Sequence, residues 1–265
     1  MLGWSMNLFR VRGILLSVHF TFFLLLAVVA WDGWKGIPEE GAVGGWVGVA
    51  WNIGILMAFF TCVVLHEFGH SFTAMHYGVG VRRILLMPIG GMAEFDSIPR
   101  EPAKEFLITL AGPAVNFAIA LVLMVAVGVP QGWPWTTHGY TADAAGFGRL
   151  LLTWNLAMGL FNLVPVFPMD GGRIFRALLA TKLPYVRATF IAATVGKVLA
   201  VAGAAAALFG FDAPLTAVLF AFIFFAGEVE YRAVKRREIE DAYWRAAMAR
   251  IYPITPIPDE PPVLR

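Results

Sequence analysis

Over most of this chain apolar residues do not alternate with polar ones; they come in long runs separated by short polar, glycine-rich or proline-rich breaks. About 20 consecutive apolar residues cross a bilayer as a helix. On that measure the pattern predicts spans over Ile14–Trp31, Ala42 to about Tyr77, Phe106–Val129 and about Phe147–Phe167. A fifth, Ala188–Phe211, holds Lys197 near its middle, and a sixth, between Asp212 and Glu228, is short. The expected fold is an all-α polytopic membrane protein of about six transmembrane helices, with five as the alternative. One stretch is patterned differently. Val79–Phe95 is rich in strand formers and carries Pro88 and a Gly90-Gly91 turn, which predicts a small membrane-associated β-hairpin after the second helix rather than a plain cytoplasmic loop.

Composition agrees with the runs. The 265 residues are 59% hydrophobic and 14% charged, whereas a soluble chain carries about 25% charged residues. A net charge of +2 is too small to imply a nucleic-acid partner, and the lone Cys62 excludes an intrachain disulfide. The first run follows Arg10 and Arg12 and ends near Val28 and Ala30, so a cleaved signal peptide is its second reading. With the N-terminus placed in the cytoplasm, all of the 20 basic residues except Lys35, Arg149 and the intramembrane Lys197 fall inside, as the positive-inside rule asks. Trp31, Trp34, Trp46, Trp51, Trp133 and Trp135 gather near the predicted outer ends like an aromatic belt. The expected organisation is a transmembrane domain over residues 1–230, a cytoplasmic helix over 231–252 and a proline-rich tail over 253–265.

Within the second run stands Leu65-His66-Glu67-Phe68-Gly69-His70. Residues four apart share a helix face, so both imidazoles can bind one metal while Glu67 lies beside the open coordination position, as in zinc peptidases. A pair of interfacial histidines beside a snorkelling glutamate is the bland alternative, but ionisable groups inside a span are usually functional. A hydrolytic zinc site needs a third protein ligand. Asp170 is the candidate, at the end of Asn162-Leu-Val-Pro-Val-Phe-Pro-Met-Asp170-Gly-Gly; a helix-capping aspartate is the other reading. The second and fourth spans both run inward, which sets His66, His70 and Asp170 toward the cytoplasmic side, His66 roughly 15 Å below the interface. Other polar groups at depth are weaker candidates. His19, about 10 Å past Arg12, could donate to substrate or gate the site. Asn116, beside the small Gly112, could stabilise an oxyanion, and Asn162 could order the aspartate turn or bind substrate backbone. Interhelical hydrogen bonds are the competing explanation for all three. Cys62 reads as small buried packing.

Three segments carry a resemblance. Leu-His-Glu-Phe-Gly-His at 65–70, Ala-Gly-Pro-Ala-Val-Asn at 111–116 and Asn-Leu-Val-Pro-Val-Phe-Pro-Met-Asp-Gly-Gly at 162–172 resemble the signatures of the intramembrane site-2 metalloproteases. The likeness covers roughly Arg10 to Phe225 and is nearest the small bacterial and archaeal branch, which includes sporulation proteases acting on pro-sigma factors. It implies one zinc ion per chain on His66, His70 and Asp170, and Glu67 as the base. The implied substrate is a membrane protein with a transmembrane or membrane-associated segment, unwound into a strand that could add to the hairpin's free edge. No inserted PDZ domain and no cystathionine-synthase-type regulatory domain is visible. A polytopic zinc hydrolase acting on a non-transmembrane substrate is the runner-up. A metal transporter predicts ligands spread through the whole bilayer, whereas here they crowd into one half.

Overall fold

The computed structural model describes residues 4–36, 44–96, 99–128, 143–210 and 213–251. Trp133, Trp135 and the proline-rich segment 253–265 lie outside the described residues. The chain opens with two strands, β1 (Ser5–Val11) and β2 (Ile14–His19), followed by helices α1 (Thr21–Lys35) and α2 (Gly45–His76). A second pair of strands, β3 (Val81–Met87) and β4 (Gly90–Phe95), precedes α3 (Pro102–Val127), α4 (Ala144–Asn162), α5 (Asp170–Ala180), α6 (Tyr185–Phe209) and α7 (Pro214–Ile251).

The hairpin expected after the second helix is β3–β4, turning through Pro88 and Ile89, so Pro88 sits in the bend rather than interrupting a strand, and Gly90-Gly91 opens β4. It belongs to a larger, four-stranded sheet of order β1-β2-β3-β4 in which β2 and β3 run parallel. The all-α expectation is corrected accordingly. So is the first span. Arg12 and Gly13 both have positive φ, 48° and 91°, the backbone of a tight two-residue hairpin turn. They fold Ile14–His19 back onto β1, and the helix begins only at Thr21. Ile14, Leu16 and Val18 pack with Ile84 and Leu86 of β3 against Phe60 and Val63 of α2. A strand flanked on both sides and buried presents a near-continuous apolar run, which hydropathy alone does not tell from a helix.

Among the described residues, α2, α3 and α6 are the helices long and apolar enough to cross a membrane. The chain is a membrane protein. Small residues let these helices close up. Ala188, Ala192, Gly196 and Ala200 form a buried four-residue repeat on α6; a Cβ on Gly196 would face Val166 and Phe167 of the loop before α5, while the seam between α6 and α7 closes where Gly227 meets Ala193 and Gly203 meets Phe220. Lys197 pairs with Glu228 of α7 across that seam and lies over the Phe224 ring.

One cluster inside the helices is ionic. Arg176 of α5 and Glu105 of α3 are both almost completely inaccessible. The guanidinium donates through Nε to Glu105 Oε1 at 2.9 Å and also bonds Glu230 of α7, while Tyr185 Oη donates to Glu105 at 3.1 Å. Phe167 and Tyr185 flank its planar face at 5.2 and 5.0 Å. Arg176, one of the basic residues that the positive-inside count places on the cytoplasmic side, is a buried tie joining four helices.

Candidate metal centre

Helical periodicity alone stacks His66 and His70 one turn apart on α2, with ring centroids 4.7 Å apart. Asp170 comes from the first turn of α5. The intervening Leu163–Met169 loop contains Pro165 and Pro168, which end α4. Gly171 and Gly172 then let α5 dock against that loop, for a Cβ on Gly171 would lie 2.2 Å from the Val164 carbonyl oxygen. From the third side α3 brings Gly112, where a Cβ would meet His70 Nε2 at 2.2 Å and His66 Cε1 at 2.8 Å.

Three atoms converge in the space so framed. His66 Nε2 and His70 Nε2 are 3.1 Å apart, and Asp170 Oδ2 lies 3.3 and 3.2 Å from them. Their protonation follows from what stands behind the rings. His70 Nδ1 is 2.8 Å from the Ile108 carbonyl oxygen and His66 Nδ1 is 2.5 Å from Asn116 Oδ1. Both partners accept, so both Nδ1 atoms carry a proton, which leaves Nε2 as the atom through which each ring can offer a lone pair to the centre. Asp170 Oδ2 is buried with no hydrogen-bond donor. Three buried lone pairs facing one another repel unless a cation lies between them. Bonds of about 2.0–2.1 Å to a tetrahedral ion place donor atoms about 3.3 Å apart, so spacing and chemistry both fit a metal on His66, His70 and Asp170.

Glu67 points elsewhere. Together with His66, Gly91, Trp154 and Asn162 it lines a cavity of ≈ 690 Å³. Its Oε2 accepts from the Ala93 N–H of β4 at 3.1 Å, and a Cβ on Gly91 would lie 2.7 Å from its Cγ, so glycine lets the strand come this close. Asn162 donates Nδ2 to the Met158 carbonyl at 3.0 Å. The Glu67 carboxylate, His66 of the cradle and the Gly90-Gly91 start of β4 therefore line one chamber.

Two expected site residues fall elsewhere. His19 ends β2 instead of lying within a span; its Nδ1 meets the Thr21 hydroxyl at 2.8 Å, and it is not among the residues that line the chamber. Asn116 is fully buried behind His66, and its Nδ2 is already given to Asn155 Oδ1 at 3.0 Å. Bonded to His66 Nδ1, on the side of the ring away from the Nε2 atoms, it supports the ring rather than the space where an oxyanion would form. Asn155 itself escaped the sequence reading, although an amide in the middle of an apolar run is the same kind of signal that marked Asn116 and Asn162.

Comparison with known proteins follows these segments. The chain is 39% identical over 237 residues to the zinc metalloprotease MJ0392 of Methanocaldococcus jannaschii, an overlap of 88% of this chain and 62% of that protein. To stage IV sporulation protein FB of Bacillus subtilis it is 29% identical over 138 residues, 50% of this chain and 43% of that one. It thus spans less than two thirds of the length of either curated relative. The solved site-2 protease from M. jannaschii matches with a TM-score of 0.57 and 36% identity, covering 86% of this chain and 95% of that one. The family model for peptidase family M50 matches residues 54–147 and 139–203, a stretch that takes in His66, His70 and Asp170 and more than half of the sequence. The chain belongs to peptidase family M50.

Proposed function

We propose that the chain is a zinc metalloendopeptidase that hydrolyses a peptide bond in or near a transmembrane segment of a membrane-associated substrate. The setting is regulated intramembrane proteolysis, for example of a membrane-tethered transcription or sigma-factor regulator. The observation that carries this reading is the meeting of three lone-pair atoms beside a carboxylate that lines an accessible cavity. One zinc ion per chain, held by His66, His70 and Asp170, would supply a Lewis acid that polarises a carbonyl and lowers the pKa of water toward neutrality. Glu67 accepts the proton of the attacking water and returns it to the leaving amine. Asn162, on the cavity wall, offers its amide to the substrate backbone. A helical peptide bond has its carbonyl occupied and wrapped, so the substrate has to unwind. The outward edge of β4 at Gly91 and Ala93 receives it as an added strand.

In this reading α1, α4 and the Pro214–Glu228 part of α7 cross the membrane beside α2, α3 and α6, giving six spans. Both termini and the water entry are cytoplasmic. Residues 1–230 form the protease domain, and the rest of α7, residues 231–251, extends from it into the cytoplasm.

Two variants test the assignment. Glu67→Gln is expected to bind zinc normally and to abolish cleavage of a single-span reporter, whereas Asp170→Ala is expected to lower zinc content measured by elemental analysis. Wild-type zinc content in the Asp170 variant removes it as a ligand. Cuts confined to sequence outside the reporter's hydrophobic segment turn the reading toward a hydrolase of non-transmembrane substrates.

A further inference from the structure

The two histidines are held from behind in different ways. His70 is oriented by the Ile108 carbonyl, a main-chain group that no side-chain substitution removes. His66 is oriented by the Asn116 amide, and an amide has two ends. With Asn116 turned over, its NH2 group would face His66 Nδ1 and favour the other tautomer, which puts a hydrogen on Nε2 where a lone pair is needed. Something has to fix which end of Asn116 faces the ring.

Asn155 of α4 is placed to do this. Its Nδ2 donates to the Leu151 carbonyl at 2.8 Å and reaches Cys62 Sγ at 3.3 Å. The carbonyl can only accept, so the orientation of Asn155 is settled and its Oδ1 is left facing Asn116. Oδ1 accepts from Asn116 Nδ2 at 3.0 Å, which leaves the Asn116 oxygen for His66. The hydrogen bonds therefore all run one way, from His66 through Asn116 and Asn155 to a main-chain carbonyl. Asn116 and Asn155 are fully buried and Cys62 nearly so, which leaves no water to replace a missing partner. We propose that Asn155 is a positioning residue which, acting through Asn116, holds His66 as an Nε2 metal ligand. The inference rests on the metal-centre reading above. Partners behind metal-bound histidines typically change metal affinity or activity 10–100-fold when removed.

The test uses the full chain in detergent, with zinc affinity read by competition against a chelating dye. Asn155→Leu and Asn155→Ala are expected to weaken zinc binding about 10–100-fold while keeping the thermal transition of the wild type. Cys62→Ala, which leaves the Leu151 bond in place, is expected to bind zinc as the wild type does. Because Asn155 acts in series with Asn116, adding Asn155→Leu to Asn116→Leu should cause no further loss. The visible bands of the cobalt-substituted protein are expected to shift in both Asn155 variants and not in Cys62→Ala. Wild-type zinc affinity in folded Asn155 variants, or an additive double variant, overturns the inference. So does the loss of the thermal transition in both Asn155 variants, which would make the residue structural. A wild-type chain that binds no zinc is a separate result, removing the metal-centre reading together with everything resting on it.

Discussion

Gly112 contributes to the centre by having no side chain. Helix α3 passes so close to the two imidazoles that a methyl group there would lie 2.2 Å from His70 Nε2, beside the atoms on which His66, His70 and Asp170 converge. Alanine is the better helix former by about 1 kcal/mol, so Gly112→Ala should leave helicity intact while displacing His70. Expected outcomes are unchanged far-ultraviolet dichroism and near-complete loss of bound zinc by elemental analysis; a zinc-replete variant would show that the rings can move aside. At this scale much of the site could be read in advance. The four-residue spacing of His66 and His70 forces them onto one face, and an aspartate in a proline-broken turn is conspicuous in a chain with so few charges. Asn155 could not be read this way, because what an amide does depends on which of its two ends meets which neighbour, and those neighbours lie 93 and 39 residues away in Cys62 and Asn116.

At the scale of elements, β4 and α5 each make a distinct demand. The Ala93 N–H points away from β3 to Glu67, so proline at 93 removes an outward donor without removing a bond of the sheet, and edge strands tolerate it. If substrate adds to that edge, Ala93→Pro is expected to raise KM for a membrane-spanning substrate while zinc content stays at the wild-type level. An unchanged KM would exclude pairing at Ala93. Helix α5 is tied through Arg176. Arg176→Met strands Glu105 as a buried, unpaired carboxylate, and breaking such a pair costs on the order of 3–5 kcal/mol. The variant is expected to melt well below the wild type, and Arg176→Met combined with Glu105→Leu, which removes both charges, to recover part of the loss. The third hydrophobic run and the hairpin after α2 were legible because length and strand-forming residues are local signals. The β2 strand was not, since its pairing of Leu15–Val18 with Arg83–Leu86 joins segments separated by two helices.

For the whole molecule, the lone cysteine offers a direct measurement of topology. Cys62 is buried, and with Cys62→Ala as a cysteine-free background, single cysteines can be placed at Lys35 and Glu101. A membrane-impermeant maleimide added to intact cells is expected to label position 35 and to reach position 101 only after permeabilisation; the reverse pattern inverts the proposed orientation. The membrane class was visible from the runs alone, whereas the four-stranded sheet required three dimensions. The order in which these parts leave the ribosome has a consequence for assembly. About 100 residues separate His70 from Asp170, which at 5–20 residues per second amounts to about 5–20 s of synthesis. During that interval the nascent chain holds two imidazoles and no carboxylate to complete their set. If His66, His70 and Asp170 hold the metal as proposed, their set is complete only after α5 emerges, which ties metal loading to a late step of translation and not to the insertion of the helix that bears the histidines.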